Sequence, residues 1–156
     1  MSGLEDLYKE IILEHYKRPR NQGELPSPPA LKAQGHNPLC GDEVVVYVEL
    51  ENDLIKDIRI SGQGCSISQS SASLMSVAVK GKTLLEMDHL LKMFKSMMTI
   101  STAQAENPQE TELIEYSERD LGELAALKGV VKFPVRIKCA ILSWNTLVQA
   151  IGQKSN

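Results

Sequence analysis

The feature that most constrains the fold is a pair of consecutive β-type segments in the first half of the chain. Residues Glu43–Leu50 are rich in β-branched side chains, and Leu54–Ser61 alternates apolar and polar residues around Ile58 and Ile60. The polar residues 51–53 between the two segments are typical of a hairpin turn. The sequence therefore predicts two antiparallel strands joined by a tight connection.

Helical periodicity predicts the remaining elements. An amphipathic helix is expected from about Leu4 to Pro19, and the proline-rich residues 21–38 are expected to be irregular or to form an edge strand. Further helices are predicted at about 66–80, after a Thr83–Glu86 capping box, at about 120–127, and from near Ile137 onward. The predicted fold class is α+β, with a small antiparallel three-stranded sheet packed against several helices.

Composition restricts the class of protein. The 156 residues are the length of one domain, taken as residues 1–156, and 42% of them are apolar, enough for a core. A net charge of −3 gives no basic field for nucleic acid, and the longest apolar run, Val44–Val48, is far shorter than a membrane span. The acidic N-terminus lacks a signal-peptide pattern, so we expect a cytoplasmic protein that binds neither nucleic acid nor membrane.

Three cysteines, Cys40, Cys65 and Cys139, are the residues of chemical interest. An odd number in a cytoplasmic chain argues against a disulfide framework and leaves a metal site, a nucleophile or buried core residues as interpretations. All three lie at predicted ends of elements: before a strand, between a strand and a helix, and in the first turn of the last helix. Asp42 is expected to project to the same side as Cys40. Together the four residues would form a tetrahedral site of three sulfurs and one oxygen, which suits zinc.

The residues alone leave alternatives to a metal site for these cysteines. Cys65 and Cys139 are expected at helix N-termini, where unpaired N–H groups stabilise a thiolate. No CxxC pair is present, so structural cysteines in a helical interaction domain remain an alternative. A Cys–His hydrolase has no local signature. His36 is expected to be a hydrogen-bonding partner of the nearby Cys40.

Other conspicuous residues are expected to be structural. His15 and His89 are expected to be structural or surface residues, and the methionines of 87–98 to fill the core. The serines of 66–76 are expected to keep one helix face small and polar where a loop packs.

Three motifs, each containing one of the cysteines, resemble a known family. They are NPLCGD at 37–42, GQGCSIS at 62–68 and RIKCAILSW at 136–144. In this order they resemble the U-type iron–sulfur scaffold family, which includes IscU, SufU and the N-terminal part of NifU. The resemblance extends over about residues 4 to 150 and includes the HYKRPRN stretch that begins at His15. It implies the SufE/NifU-like version of the α+β fold.

Two features resemble the SufU branch of that family. Lys138 stands where IscU-type scaffolds have a histidine just before the last cysteine, and the interval between Cys65 and Cys139 includes an insertion that those scaffolds lack. The absent histidine removes a ligand or base from the scaffold chemistry. What the SufU resemblance implies instead is a zinc-bound sulfur acceptor, with Cys40, Asp42, Cys65 and Cys139 as the zinc ligands.

The resemblance also implies partners and roles. The donor would be a PLP-dependent, SufS-like cysteine desulfurase, and a cluster scaffold or apo-proteins would receive the sulfur downstream. Cys40 is the expected acceptor, because it lies on a glycine-flanked loop rather than at the start of a packed helix. Arg136 is expected to stabilise a persulfide anion or to contact the desulfurase, with a solvated helix-start arginine as the alternative.

This chain is thus expected to act as a sulfurtransferase-like acceptor rather than as an enzyme in its own right. The alternative function is a scaffold that assembles a transient [2Fe–2S] cluster on the same cysteines.

Overall fold

The computed structural model describes residues 3–99 and 114–153 of the chain, where it contains a three-stranded antiparallel sheet and five α-helices. The polar stretch of the sequence that contains Pro108 lies outside the described residues. In chain order the elements are α1 (Gly3–Lys17), β1 (Leu31–Asn37), β2 (Asp42–Glu51), β3 (Leu54–Gln63), α2 (Ser66–Val79), α3 (Leu84–Thr99), α4 (Glu118–Leu121), a 3-10 helix (Gly122–Lys132) and α5 (Pro134–Ile151). Within those ranges, no helix has both the length and the apolar character needed to cross a bilayer.

The predicted hairpin is confirmed as β2 and β3. Its two loop residues, Asn52 and Asp53, have φ angles of 52° and 67°. Positive φ at both central positions belongs to the type I′ turn, whose twist matches that of the flanking strands. The register places Val46 opposite Ile60, so that buried side chains from both strands point to one face of the sheet.

The third strand comes from the proline-rich segment, which confirms the edge-strand expectation. β1 pairs antiparallel with β2 from Leu31 opposite Val48 to Asn37 opposite Asp42, and the strand order is β1-β2-β3. Residues 38–41 form the turn between β1 and β2 and carry Cys40.

Helices α5 and α2 pack against the sheet, and α5 lies close to β1. A Cβ atom at Gly35 of β1 would collide with the Thr146 hydroxyl of α5, so glycine permits this approach. Trp144 of α5 stacks on Phe94 of α3, with ring centroids 5.3 Å apart, and both rings are fully buried. The Ser71 hydroxyl of α2 donates to the Ala140 carbonyl of α5, which fixes the two helices to each other.

The start of α3 and its apolar stripe agree with the sequence. Thr83 N–H donates to Glu86 Oε1 at 2.9 Å and Glu86 N–H donates to Thr83 Oγ1 at 3.1 Å, which is the predicted capping box. His89 is exposed, as expected. The methionine stripe is confirmed as core, with four buried members: Met87, Met93, Met97 and Met98.

The serine face of α2 holds α1 and the segment that follows it. Ser73 Oγ accepts the backbone N–H of Arg20 at 2.9 Å and lies 2.7 Å from His15 Nδ1. Asn21 Nδ2 donates to Ser76 Oγ at 3.0 Å. The expectation that these serines form a small polar face under a loop is confirmed, and His15 is a buried structural residue.

The short helix predicted at 120–127 is present, and most of it is a 3-10 helix. Only Glu118–Leu121 is α-helical, and Gly122 has a φ of +60°, which ends that helix. A 3-10 helix continues to Lys132. The apolar spacing was correct for burial, since Leu124 and Leu127 are buried, but it did not distinguish the two helix types.

The predicted start of the last helix was also wrong. α5 begins at Pro134 rather than near Ile137, because proline is favoured at the first helical position, where its missing N–H has no partner to lose. Cys139 therefore lies in the second turn of α5, not the first.

The protonation of His15 makes the stability of the folded protein depend on pH. Burial lowers the pKa of His15 below its ordinary value of 6.5, and the hydrogen bond to Glu123 only partly offsets this effect. A lowered pKa means that the unfolded chain binds the proton more readily. The stability contributed by neutral His15 is therefore present above pH 6.5 and is lost as the pH falls below that value.

The test is denaturant unfolding between about pH 5 and pH 8. We expect His15→Gln to show a smaller loss of unfolding free energy on acidification than the wild type. His89→Gln removes an exposed histidine and should keep the wild-type dependence. Equal pH dependence in wild type and His15→Gln would contradict this account.

Candidate metal centre

The four residues that the sequence proposed as a metal site lie together at one end of the sheet. Cys40 is in the turn between β1 and β2, Asp42 begins β2, Cys65 precedes α2, and Cys139 is on α5. Cys139 Sγ lies 3.1 Å from Cys40 Sγ, and Cys65 Sγ lies 4.0 Å from Asp42 Oδ2. One ligand atom from each of Cys40, Asp42 and Cys139 lies within 4.8 Å of the others.

Asp42 is fully enclosed, with 0% of its surface exposed. Its Oδ1 accepts the backbone N–H of Cys65 at 2.8 Å, and its Oδ2 lies 3.4 Å from Asn37 Nδ2. Both donors are neutral. A buried carboxylate with neutral partners is costly, and a cation next to it would reduce that cost.

Cys65 caps the N-terminus of α2 through its sulfur. The Ser68 N–H donates to Cys65 Sγ at 3.4 Å, and the backbone of Cys65 is extended, as an N-cap residue requires. Cys65 therefore lies at a helix N-terminus, as the sequence predicted. The same expectation was wrong for Cys139, because α5 begins five residues before it.

Cys139 is fully buried. Burial raises the pKa of the Cys139 thiol, and its contacts with Cys40, Asp42 and Cys65 raise it further. Thiolate ligands ionise as a metal binds, because the ion supplies the missing positive charge. Cys139 thus has the surroundings of a metal ligand rather than of a free nucleophile.

Glycines set the close approach of the elements that carry the site. A Cβ atom at Gly64 would lie 2.5 Å from Asp42 Oδ1 and 3.1 Å from Asp42 Cα, so only glycine lets the end of β3 pass the carboxylate. Gly41 has a φ of +68°, the left-handed conformation that closes the turn beside Cys40.

Arg136 lies at the exposed edge of the site, one helical turn before Cys139 on α5. The pKa of its guanidinium is raised, first by its attraction to Cys65 and by a hydrogen bond to it, and then by Cys40 and Cys139. The cationic group that the sequence singled out therefore lies within electrostatic range of all three cysteines.

Sequence reasoning missed Asn37 as a member of this cluster. Asn37 is 6% exposed, and its Nδ2 lies 3.4 Å from Asp42 Oδ2 and 3.5 Å from Cys139 Sγ. The expected role of His36 was wrong: its side chain is exposed, and none of the described residues hydrogen-bonds to it. Alternate residues of a strand point to opposite faces, so the inward position next to Cys40 belongs to Asn37.

The donor set fits a tetrahedral zinc ion. Three cysteine sulfurs and one carboxylate oxygen are ligands that zinc takes, at about 2.3 Å for sulfur and about 2.0–2.2 Å for oxygen. Tetrahedral geometry with these bond lengths places neighbouring donors roughly 3.6–3.8 Å apart. The observed separations of 3.1 Å (Cys40–Cys139) and 4.0 Å (Cys65–Asp42) lie on either side of that spacing. Cys65 is not part of the group in which the ligand atoms of Cys40, Asp42 and Cys139 all lie within 4.8 Å of one another, so its side chain would have to move to complete the site.

Residues 7–140 match the family model described as the NifU-like N terminal domain. The chain belongs to this family. The match contains the three cysteines, Asp42 and the whole sheet.

Similar proteins are named either as a sulfurtransferase or as scaffold proteins for iron–sulfur cluster assembly. The zinc-dependent sulfurtransferase SufU of Bacillus subtilis is 39% identical over 98% of this chain and 95% of its own. The iron–sulfur cluster assembly scaffold protein IscU of Streptococcus pyogenes is also 39% identical, over 100% of this chain and 89% of its own. A crystal structure of a SUF-system scaffold protein, FiSufU, from Fervidobacterium islandicum superposes with a TM-score of 0.76 at 31% identity, covering 91% and 94% of the two chains. This likeness confirms the predicted α+β fold.

The close approach at Gly64 gives a test of the site's geometry. Gly64→Ala should displace the Asp42 carboxylate or the end of β3, because its Cβ has no room there, and should lower the unfolding free energy by about 1–3 kcal/mol. Denaturant unfolding measures the change.

Gly129→Ala is the matched control, since a Cβ at that position meets nothing within 4 Å. It should stay within about 0.5 kcal/mol of the wild type. A Gly64→Ala variant as stable as this control would contradict the tight contact with Asp42.

Proposed function

We propose that this protein works in iron–sulfur cluster assembly as a zinc-bound acceptor of persulfide sulfur from a cysteine desulfurase. Cys40, Asp42, Cys65 and Cys139 are the proposed zinc ligands. The observation that carries the proposal is the convergence of three sulfurs on a buried carboxylate from three separate parts of the chain. Similarity to a relative named as a zinc-dependent sulfurtransferase supports it.

Cys40 is the proposed acceptor because it is the one of the three cysteines that lies on a turn, and its exposure is intermediate, like that of Cys65. It is partly exposed and follows Leu39, which is 67% exposed, whereas Cys139 is fully buried and Cys65 caps a helix. A donor cysteine on another protein must bring its persulfide to the accepting sulfur. The turn at 38–41 presents Cys40 for this approach.

The proposed sulfur transfer needs no reactant other than the two cysteines, because one S–S bond forms as another breaks. The Cys40 thiolate attacks the outer sulfur of the donor persulfide, so that a new S–S bond forms at Cys40. The S–S bond of the donor breaks, and its electron pair leaves with the donor thiolate. When bound, zinc would keep the cysteine ligands ionised and protect them from oxidation.

Arg136 is suited to the product of this step. Its guanidinium is exposed and is attracted to the sulfurs of the site, so it can stabilise the anion of a Cys40 persulfide or pair with an acidic group of the desulfurase. The proposed donor is a PLP-dependent, SufS-like desulfurase. The proposed recipients of the sulfur are a cluster scaffold or apo-proteins.

A second candidate function is supported by the names of other relatives. The Streptococcus pyogenes relative is named as a scaffold for iron–sulfur cluster assembly, and the same three cysteines would hold a [2Fe–2S] cluster as cargo. Lys138 favours the first function. It is an exposed ammonium group next to Cys139, and it cannot supply the imidazole that the resemblance assigns to IscU-type scaffolds.

Metal analysis of protein purified without added metal separates the two functions. We expect about one equivalent of zinc. Asp42→Ala should lower the retained zinc, because the only carboxylate of the donor set is removed. Asp88→Ala is the control, since Asp88 forms an ion pair with Lys92 on α3, away from the cysteines, and its loss should leave the zinc content unchanged. Iron with labile sulfide would favour the scaffold, and the absence of zinc and iron would contradict both functions.

Mass spectrometry of digested protein tests the acceptor assignment. After incubation with a SufS-like desulfurase and cysteine, wild-type protein should carry one additional sulfur atom on the peptide that contains Cys40. Cys40→Ala should carry none on any peptide and should not accelerate the desulfurase. Added sulfur on Cys65 or Cys139 at the wild-type level would refute the assignment to Cys40.

A further inference from the structure

We propose that Asn37 is a positioning residue of the cysteine site: its side-chain amide holds Asp42 and Cys139 in place and thereby leaves Cys40 as the reactive sulfur. The inference rests on the proposed zinc site. It adds a residue that makes the proposed cysteine ligands differ in their reactivity toward electrophiles.

The orientation of the Asn37 amide follows from the backbone. Asn37 Oδ1 accepts the N–H of Leu39 at 3.3 Å, and a backbone N–H can only donate. The amide nitrogen must therefore face the site, where it lies 3.4 Å from Asp42 Oδ2 and 3.5 Å from Cys139 Sγ. Each of these two acceptors can take one of its two N–H groups.

Asn37 occupies a position where these bonds join three parts of the fold. It is the last residue of β1 and pairs with Asp42 across the β1–β2 ladder. Its oxygen holds the turn that carries Cys40, and its nitrogen reaches Cys139 on α5, 102 residues later in the chain. Since Asn37 is buried, water does not compete for these hydrogen bonds.

The donors are distributed unequally among the four proposed ligands. Cys65 Sγ accepts the N–H of Ser68, Asp42 accepts from Cys65 and Asn37, and Cys139 Sγ accepts from Asn37. Among the residues that the structure describes, no N–H group donates to Cys40 Sγ, whose one hydrogen-bond contact is with Cys139 Sγ.

This inequality has a chemical consequence. A hydrogen bond to a ligand sulfur withdraws charge from it and fixes its direction, and such supporting contacts tune metal sites strongly. Cys139 and Cys65 are therefore restrained and less nucleophilic. Cys40 accepts no N–H group among the described residues and sits on a turn, so it reacts first with a sulfur electrophile.

Site-resolved alkylation tests the inference without the desulfurase. Zinc-loaded protein is treated with iodoacetamide, and the alkylation rate of each cysteine is followed on its own peptide. In wild-type protein Cys40 must react before Cys65 and Cys139. In Asn37→Ala and Asn37→Asp, the rate of Cys139 relative to Cys40 should rise about tenfold or more, and zinc affinity should fall roughly 10–100-fold.

A second variant and a matched control complete the test. Asn37→Asp retains an oxygen for the Leu39 N–H, so the turn persists while the N–H groups are lost, and it serves if Asn37→Ala does not fold. Asn145→Ala is the matched control. Asn145 is an exposed asparagine of α5 that lines the same groove as Asn37 and has no hydrogen bond to the cysteines or Asp42, and its loss should change neither quantity.

Two results would overturn the inference. One is a wild-type protein in which Cys139 or Cys65 is alkylated as fast as Cys40. The other is a Cys139-to-Cys40 rate ratio in the folded Asn37 variants that stays within about twofold of wild type, which would mean that burial alone protects Cys139. A wild-type protein that retains no zinc would instead contradict the proposed function, so the two failures are distinct.

Discussion

The buried carboxylate of Asp42 is the constraint on which the arrangement of the site depends. Through Oδ1 it holds the backbone N–H of Cys65 and so ties the start of β2 to the start of α2, and through Oδ2 it meets the amide of Asn37 at the end of β1. Gly64 is required beside it because no side chain fits. The cysteines therefore converge because three chain segments meet at one buried carboxylate. A cation bound beside this carboxylate would reduce the free-energy cost of burying it.

Much of the fold could be predicted because its signals are local. The turn at Asn52-Asp53 and the capping box at Thr83 each depend on residues within a few positions of one another, and both are present in the structure. The errors arose where one residue has two structural roles. The last helix was predicted to begin near Ile137, but Pro134 occupies its first position, which moves Cys139 into the second turn of α5.

The candidate site was predictable to the extent that strand alternation and element ends determine it. Cys40 and Asp42 flank the start of β2, and Cys65 precedes α2, so their proximity follows from the hairpin. The role of Asn37 was not predictable in this way. An asparagine before a proline indicates a turn, and its oxygen does bond the turn, but its contact with Cys139 depends on how α5 packs against β1.

X-ray absorption at the zinc edge of the purified protein tests the central claim most directly. The account predicts three sulfur neighbours at about 2.3 Å and one oxygen at about 2.0–2.2 Å, supplied by Cys40, Cys65, Cys139 and Asp42. Fewer than three sulfurs, or the scattering pattern of an imidazole ligand, would contradict it.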